Sequence, residues 1–298
     1  MNIITTTLPE WQSQAHRRLL IWLPLLFLIL SPAAVWAASY EGIDCPDADS
    51  TDAQAINDRG DIVGSCDDAN GEHGFLLRNG EFRMIDFPGA ANTAAFGVNN
   101  RGDVVGRYGV GDGVAHGFLF RNGHFTAFDV PDSQSTAVRG VDDLGRIVGF
   151  YLGSDDTFRG FVRDASGYRD IKFPGSVHSV AYDVNALARI VGAYIDTAGV
   201  QRGYRLTNGT FTSIVPPGAT SADARGINVL GHIVGGRTDD PECDGCFTKA
   251  FLLTSRGYTN LSFPNALETY AQGINTVGQI VGSYLAEDET FHGFVRNP

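Results

Sequence analysis

From about residue 39 on, short, nearly continuous apolar runs alternate with turns rich in Gly and Asn, with no helical periodicity. That pattern predicts strands and no helix. The segments "INDRGDIVG", "VNNRGDVVG", "VDDLGRIVG", "VNALARIVG", "INVLGHIVG" and "INTVGQIVG" are copies of one phrase. Their closing glycines (Gly64, Gly106, Gly149, Gly192, Gly235, Gly282) stand 42, 43, 43, 43 and 47 residues apart. A second marker keeps step at Phe75, Phe118, Phe161, Tyr204, Phe251 and Phe294, and a third at Pro46, Pro88, Pro131, Pro174, Pro217 and Pro264. A fixed period of this size marks a solenoid, a propeller or an array.

Each copy predicts four short strands: "AxGIN", "xIVGxY", "HGFLL" and "FTxIDFP". An Asn-x-x-Gly turn joins the first two strands and an Asn-Gly turn the last two. Four strands in about 43 residues make one propeller blade. The sixth copy stops after its third strand, at "FHGFVRNP", and its missing fourth strand stands ahead of the first copy as "YEGID", where Ile43-Asp44-Cys45-Pro46 matches Ile85-Asp86-Phe87-Pro88. An open array has no use for that arrangement, whereas a ring zips its two ends into one shared sheet. The expected fold is therefore all-β, a six-bladed propeller of four-stranded blades closed by the N-terminal strand. Small residues at one first-strand position (Ala55, Gly97, Gly140, Gly226, Gly273) suit inner strands that crowd around an axis. The fourth copy departs most, with Asp183 at that position and Ala188 at the turn glycine, so its blade is expected to be the least regular.

The phrase "GINxxGxIVGxY…HGFLxxNGxFTxIDFPGA" resembles the HAF-type extracellular repeat family of exported bacterial proteins, over about residues 39 to 298. The resemblance implies export and a repetitive β-architecture, and it brings no catalytic residues. The family's His-Ala-Phe triplet is His-Gly-Phe in three copies here and varies in the rest.

Upstream, Arg17 and Arg18 precede an apolar run from Leu19 to Leu30, and Val35-Trp36-Ala37 supplies a small-residue cleavage pattern. Residues 1–37 read as a signal peptide, too short in its apolar part to span a bilayer, with a retained anchor as the alternative. Residues 38–298 form the single propeller domain. Loss of Glu10, Arg17 and Arg18 takes the net charge from −12 to −13, which argues against nucleic acid or an anionic membrane as the main partner. No membrane insertion is expected after cleavage, and a monomer is expected.

Export makes disulfides possible, and four cysteines allow three pairings. Cys45 fills the slot of Phe87 and Cys66 that of Tyr108, so a Cys45–Cys66 bridge would replace an aromatic contact between blades. Cys243 and Cys246, inside the four extra residues of the fifth interval, would pair locally.

Strand order puts the tight turns on one face and the longer 2–3 and 4–1 loops on the other, where a binding site belongs. The 2–3 loops are acidic in every copy, from Asp67, Asp68 and Glu72 to Glu287, Asp288 and Glu289. Carboxylates suit Ca²⁺, but no loop carries the alternating Asp ligand order, so a solvated rim is the expected role, with Ca²⁺ capture as the alternative. No cofactor is expected. Near the axis one first-strand position varies where its neighbours do not: Gln54, Phe96, Arg139, Tyr182, Arg225 and Gln272. Amides, aromatics and arginines around a channel mouth suit a sugar or an anionic group, and are the candidate ligand-binding residues. Their alternative role is packing between blades, with Asp183 paired to Arg139 or Arg225. Histidines 73, 116 and 292 share their position with arginine and lysine in other copies, which makes them a repeat feature and not a metal site. No nucleophile elbow, Walker loop or metalloprotease helix is present. The expected function is a binding or interaction module for a glycan or surface polymer; the alternative is a propeller lyase or hydrolase with its site at the axial mouth.

Overall fold

The computed structural model describes residues 38–240 and 249–298; the expected signal peptide and the expected Cys243–Cys246 pair lie outside them. Strand β1 (Ser39–Ile43) is followed by the first blade, β2 to β5 (Ser50–Ile56, Ile62–Asp68, Gly71–Arg78, Glu81–Met84). The second is β6 to β9 (Asn92–Val98, Val104–Gly109, Ala115–Arg121, His124–Phe128) and the third β10 to β13 (Ser135–Val141, Ile147–Leu152, Phe158–Asp164, Gly167–Ile171). The fourth is β14 to β17 (His178–Val184, Ile190–Ile195, Gln201–Thr207, Thr210–Ile214). In the fifth, the first strand is split into β18 and β19 (Ser221–Ala222, Gly226–Ile227), ahead of β20 to β22 (Ile233–Thr238, Lys249–Thr254, Gly257–Leu261). The last three strands are β23 to β25 (Glu268–Ile274, Ile280–Leu285, Phe291–Asn297).

The sixth sheet runs β1-β25-β24-β23, with Ser39 opposite Asn297 and Ile43 opposite Gly293. The two ends of the described chain thus share one blade, and the molecule is a six-bladed β-propeller. Residues 37–298 form a compact unit of their own, which holds every described sheet and closing contact.

Three features of the repeat account for the ring. The marker aromatics Phe75, Phe118, Phe161, Tyr204, Phe251 and Phe294 are fully buried between sheets, where burial of such a ring stabilises by roughly 2–3 kcal/mol. At three junctions the aromatic just beyond strand four stacks on a strand-two tyrosine of the next blade: Phe87 on Tyr108, Phe173 on Tyr194 and Phe263 on Tyr284, each with ring centres 3.7 Å apart. In the first blade Cys45 and Cys66 take these slots and form the disulfide that the sequence suggested, tying the closing strand to its neighbour. On the tight-turn face the turn asparagines make a belt. Asn57 Nδ2 donates to the carbonyl of Asn99 (2.9 Å), Asn99 to Asp142 (3.0 Å), Asn185 to Asn228 (2.8 Å) and Asn228 to Asn275 (3.0 Å). Asn275 returns to Asn57 (3.2 Å) and closes the circuit. Asp142 has no amide to donate, and Arg146 bridges that gap by reaching the carbonyl of Ala186 at 2.9 Å.

The irregularity expected in the fourth blade lies elsewhere. Strands β14 to β17 form an ordinary sheet, and the break falls in the fifth blade, between β18 and β19. There the Asp223 carboxylate accepts the amide of Gly236 (2.7 Å) that a strand partner would otherwise bind. A short polar side chain competing with the ladder in this way interrupts the strand.

Candidate binding site

Residues 54, 96, 139, 182 and 272 are each the extra residue of a β-bulge. Ala53 pairs with Gly64 and Ala55 with Val63, which leaves Gln54 unpaired; the same skip falls between Ala95 and Gly97, Val138 and Gly140, Ala181 and Asp183, and Ala271 and Gly273. A bulge re-aims its side chain, here toward the axis. It also explains why the third residue of the second strand is glycine: a Cβ on Gly64 would lie 2.0 Å from the carbonyl oxygen of Asp52, and on Gly106 2.0 Å from that of Ala94. In the fifth blade the split strand puts Arg225 in the same place.

All six candidates, Gln54, Phe96, Arg139, Tyr182, Arg225 and Gln272, line one axial cavity of about 50 Å³. They fill most of it with one another. The Arg139 guanidinium lies 3.9 Å over the Phe96 ring and 5.3 Å from the centre of Tyr182, and donates to Gln54 Oε1 at 3.4 Å. Arg225 donates to Gln272 Oε1 (2.9 Å) and to Asp223 (2.6 Å). Burial pulls the Arg139 pKa down to about 10; Arg225 is also buried, but Asp223 beside it holds its pKa above the ordinary value. Ligand pockets run to roughly 300–1,000 Å³. The axial cavity suits a small polar group, not a sugar ring.

Sequence reasoning missed the buried carboxylates around this ring. Asp52 accepts from Gln54 (2.5 Å), and burial pushes its pKa up against the pull of Ser283, Arg225 and Arg139. Asp183 stands out in the sequence, where the packing alternative pairs it with Arg139 or Arg225. Instead it accepts the backbone amides of Val184 (2.8 Å) and Ile227 (2.9 Å), and burial lifts its pKa to about 6. The signal was available: acids stand at 52 and 223 where other copies carry Ala94, Ala137 and Val180.

A second cavity, of about 260 Å³, opens between the third and fourth blades on the long-loop face. Phe150 and Phe158 come from the third blade, and His178, Tyr182, Tyr194 and Gln201 from the fourth. Phe158 is 41% exposed. Its amide donates to His178 Nδ1 (3.1 Å), so the ring proton of neutral His178 sits on Nε2 as a donor. Tyr182 lines both cavities. Sequence reasoning missed this pocket because its walls come from two copies, so that no single copy shows it, although Tyr194 holds the recurrent strand-two slot and Phe158 has a counterpart in Phe291.

The acidic loops cap themselves. Asp155 accepts from Thr157 and pairs with Arg159, Asp196 accepts from Ala198 and Val200, and Asp288 accepts from Thr290. Among the described residues no three acids, histidines or cysteines converge on a point. The recurrent histidines pair with acids just beyond the fourth strands: His73 with Asp86 (3.2 Å), His116 with Asp129 (2.9 Å) and His292 with Asp44 (2.8 Å).

No protein-family model matches the sequence, and no curated protein matches it. Solved structures do. A lectin, SapL1, in complex with alpha methyl fucoside is 12% identical at a TM-score of 0.54, over 83% of this chain and 93% of that one. An Aleuria aurantia lectin mutant in complex with Fucalpha1-6GlcNAc is 10% identical at 0.50, again over 83% and 93%. A putative TolB from Agrobacterium tumefaciens is 12% identical at 0.56, over 83% and 90%. At such identities the likeness is one of fold.

Proposed function

We propose that this protein is an exported propeller of the HAF-repeat type that binds a carbohydrate in the pocket between its third and fourth blades. The observation that carries this reading is the composition of that pocket: an exposed Phe158 face, with Phe150 behind it and the polar edges of His178, Tyr182 and Gln201 around it. A sugar presents an apolar C–H face and a rim of hydroxyls, and a pocket of apolar walls with few placed polar groups matches both. Two of the similar folds are lectins crystallised with fucosides, which supports the class of ligand without naming the sugar. The signal-like N-terminal segment and the Cys45–Cys66 bridge support export. The axial ring contributes the polar inner wall through Tyr182, and its small open volume of about 50 Å³ supports the binding reading over a lyase or hydrolase site at the axial mouth.

The test is a glycan array with purified residues 38–298, followed by calorimetry on the best ligand. Phe158→Ala is expected to weaken binding at least tenfold, about 1.4 kcal/mol, while Gln272→Ala leaves it nearly unchanged. The opposite pattern would move the site to the axis, and an array without any hit would end the carbohydrate reading.

A further inference from the structure

Two groups in the axial ring carry hydrogen-bond donors that no acceptor of the protein meets. Gln272 is 6% exposed, and its Oε1 accepts from Arg225 at 2.9 Å. That bond fixes which end of the amide is which, and leaves Nε2 without an acceptor among the described residues. The nitrogen is not sealed in protein, and the residue lines the axial cavity. Arg139 comes from the third blade, which faces the sixth across the axis. Its guanidinium lies 3.9 Å over the Phe96 ring, and one N–H reaches Gln54 Oε1 at a long 3.4 Å. Its remaining N–H groups have no acceptor, and no carboxylate stands at ion-pair distance, among the described residues.

The acids around the ring are engaged elsewhere. Asp223 takes Arg225 (2.6 Å), Glu72 takes Arg107 (3.1 Å), and Glu268 takes the hydroxyl of Tyr270. Asp183 accepts the backbone amides of Val184 and Ile227. Asp52 accepts from Gln54, and burial pushes it toward its neutral form against the pull of Ser283, Arg225 and Arg139. Arg225 and Asp223 cancel, which leaves Arg139 as a single positive charge in a confined space. A charge and a donor left unmet away from bulk water are both costly, and one negatively charged acceptor would answer both. Size narrows the class. Roughly 10–15 Å³ admits one water, so the cavity of about 50 Å³ takes an atom-sized ion with a water or two beside it, and no sugar acid.

We infer that the axial ring binds one monovalent, single-atom anion, chloride, between the Arg139 guanidinium and the Gln272 amide nitrogen. The ion gives Arg139 its counterion and joins the third blade to the sixth across the axis. It needs no sugar in the pocket between the third and fourth blades.

The test uses purified residues 38–298, with gluconate, an anion too large for the cavity, exchanged stepwise for chloride at constant ionic strength. The chloride NMR line is expected to broaden saturably. The melting temperature should rise with chloride, because an ion that binds only the folded state stabilises it by mass action. Arg139→Met keeps bulk over Phe96 but removes the charge, and should weaken the apparent chloride affinity at least tenfold. Gln272→Leu, a milder change that serves should Arg139→Met fail to fold, is expected to weaken it severalfold. Arg107→Met removes the neighbouring guanidinium, which Glu72 already pairs, and should bind like the parent. In bromide-soaked crystals an anomalous peak is expected between Arg139 and Gln272. The inference is overturned if the parent shows no saturable broadening, or if Gln272→Leu binds as the parent does. It is overturned equally if Arg107→Met loses as much as Arg139→Met, or if the axial cavity of the soaked crystal holds water alone.

Discussion

The junction between the second and third blades and that between the fourth and fifth solve one steric problem in different ways. In the first, the inner strands meet backbone to backbone at Gly97 and Gly140; a Cβ on Gly97 would lie 2.6 Å from the Arg139 carbonyl oxygen and 3.1 Å from the Gly140 Cα. In the second, Asp183 stands where a small residue is expected, and its carboxylate takes up the amide of Ile227 across the junction. The neighbouring inner strand is split there, at Asp223 to Arg225. The difference teaches that the ring tolerates a polar side chain at its narrowest point only where a backbone donor has been turned to meet it. A propeller can therefore depart from its repeat, but the departure recruits the next blade.

The strongest way to break the comparison is to move the acid. Gly97→Asp puts a carboxylate into a junction with no room for its Cβ, and should destabilise by on the order of 4 kcal/mol or prevent folding. Denaturant unfolding reads this directly, and a loss under about 1 kcal/mol would mean that the regular junction relaxes as easily as the irregular one.

The junction where the chain ends meet extends the comparison, because a covalent bond there occupies slots that hold a stacked aromatic pair in the second blade. The cysteines are 21 residues apart, a loop for which the chain-entropy model gives about 3 kcal/mol. Cys45→Ser/Cys66→Ser should therefore lower the melting temperature by roughly 6–12 °C, at about 2–4 °C per kcal/mol for a domain of this size. An unshifted temperature would show that closure rests on the shared sheet and the asparagine belt alone.

The acid itself gives a pH-dependent difference between the junctions. The pKa of Asp183 is raised from 3.8 to about 6, so the folded state holds this proton more tightly than the unfolded chain. Its contribution to stability is fully present below about pH 4 and is lost as pH rises through about 6, a change of up to about 3 kcal/mol. Asp52, also raised by burial, adds in the same direction, and Asp61, held down at about 2 by Arg78, Asn57 and Arg59 against the effect of burial, acts only at lower pH. Asp183→Asn should flatten the stability profile between pH 4 and 6, measured by urea unfolding across that range. If parent and variant kept parallel profiles, the titration would belong to another group.

Much of this was legible in the sequence because a repeat announces its own phase. The blade count, the shared sixth sheet, the Cys45–Cys66 bridge and the convergence of Gln54, Phe96, Arg139, Tyr182, Arg225 and Gln272 all follow from aligning six copies. What the alignment cannot show is how side chains of two neighbouring copies combine, as Phe158 meets His178. Nor does it show a break that leaves composition intact: Asp223-Ala224-Arg225 still reads as a strand, and only the hydrogen bond from Gly236 to the Asp223 carboxylate reveals why it is not. The departure was seen in the fourth copy, at Asp183, but its structural consequence falls on the fifth blade.

The smallest expected effect isolates the one feature of the fourth copy that stays within its own blade. At the turn position where the other copies have glycine, Gly145 has φ of 81° and Gly231 of 84°, while Ala188 is held at 58°. An L-residue in this left-handed region costs about 1–2 kcal/mol, and glycine there gives back part of that gain through the freedom it adds to the unfolded chain. Ala188→Gly should therefore stabilise the protein by about 0.5–1 kcal/mol, and Gly145→Ala should destabilise it by a similar amount. Opposite shifts of the two denaturation midpoints, equal in size, would show that turn strain is local and independent of the altered junction beside it. If Ala188→Gly gained nothing while Gly145→Ala still cost the full amount, the turn and the Asp183 junction would have to be one coupled adaptation, and the two departures of the fourth copy would count as one.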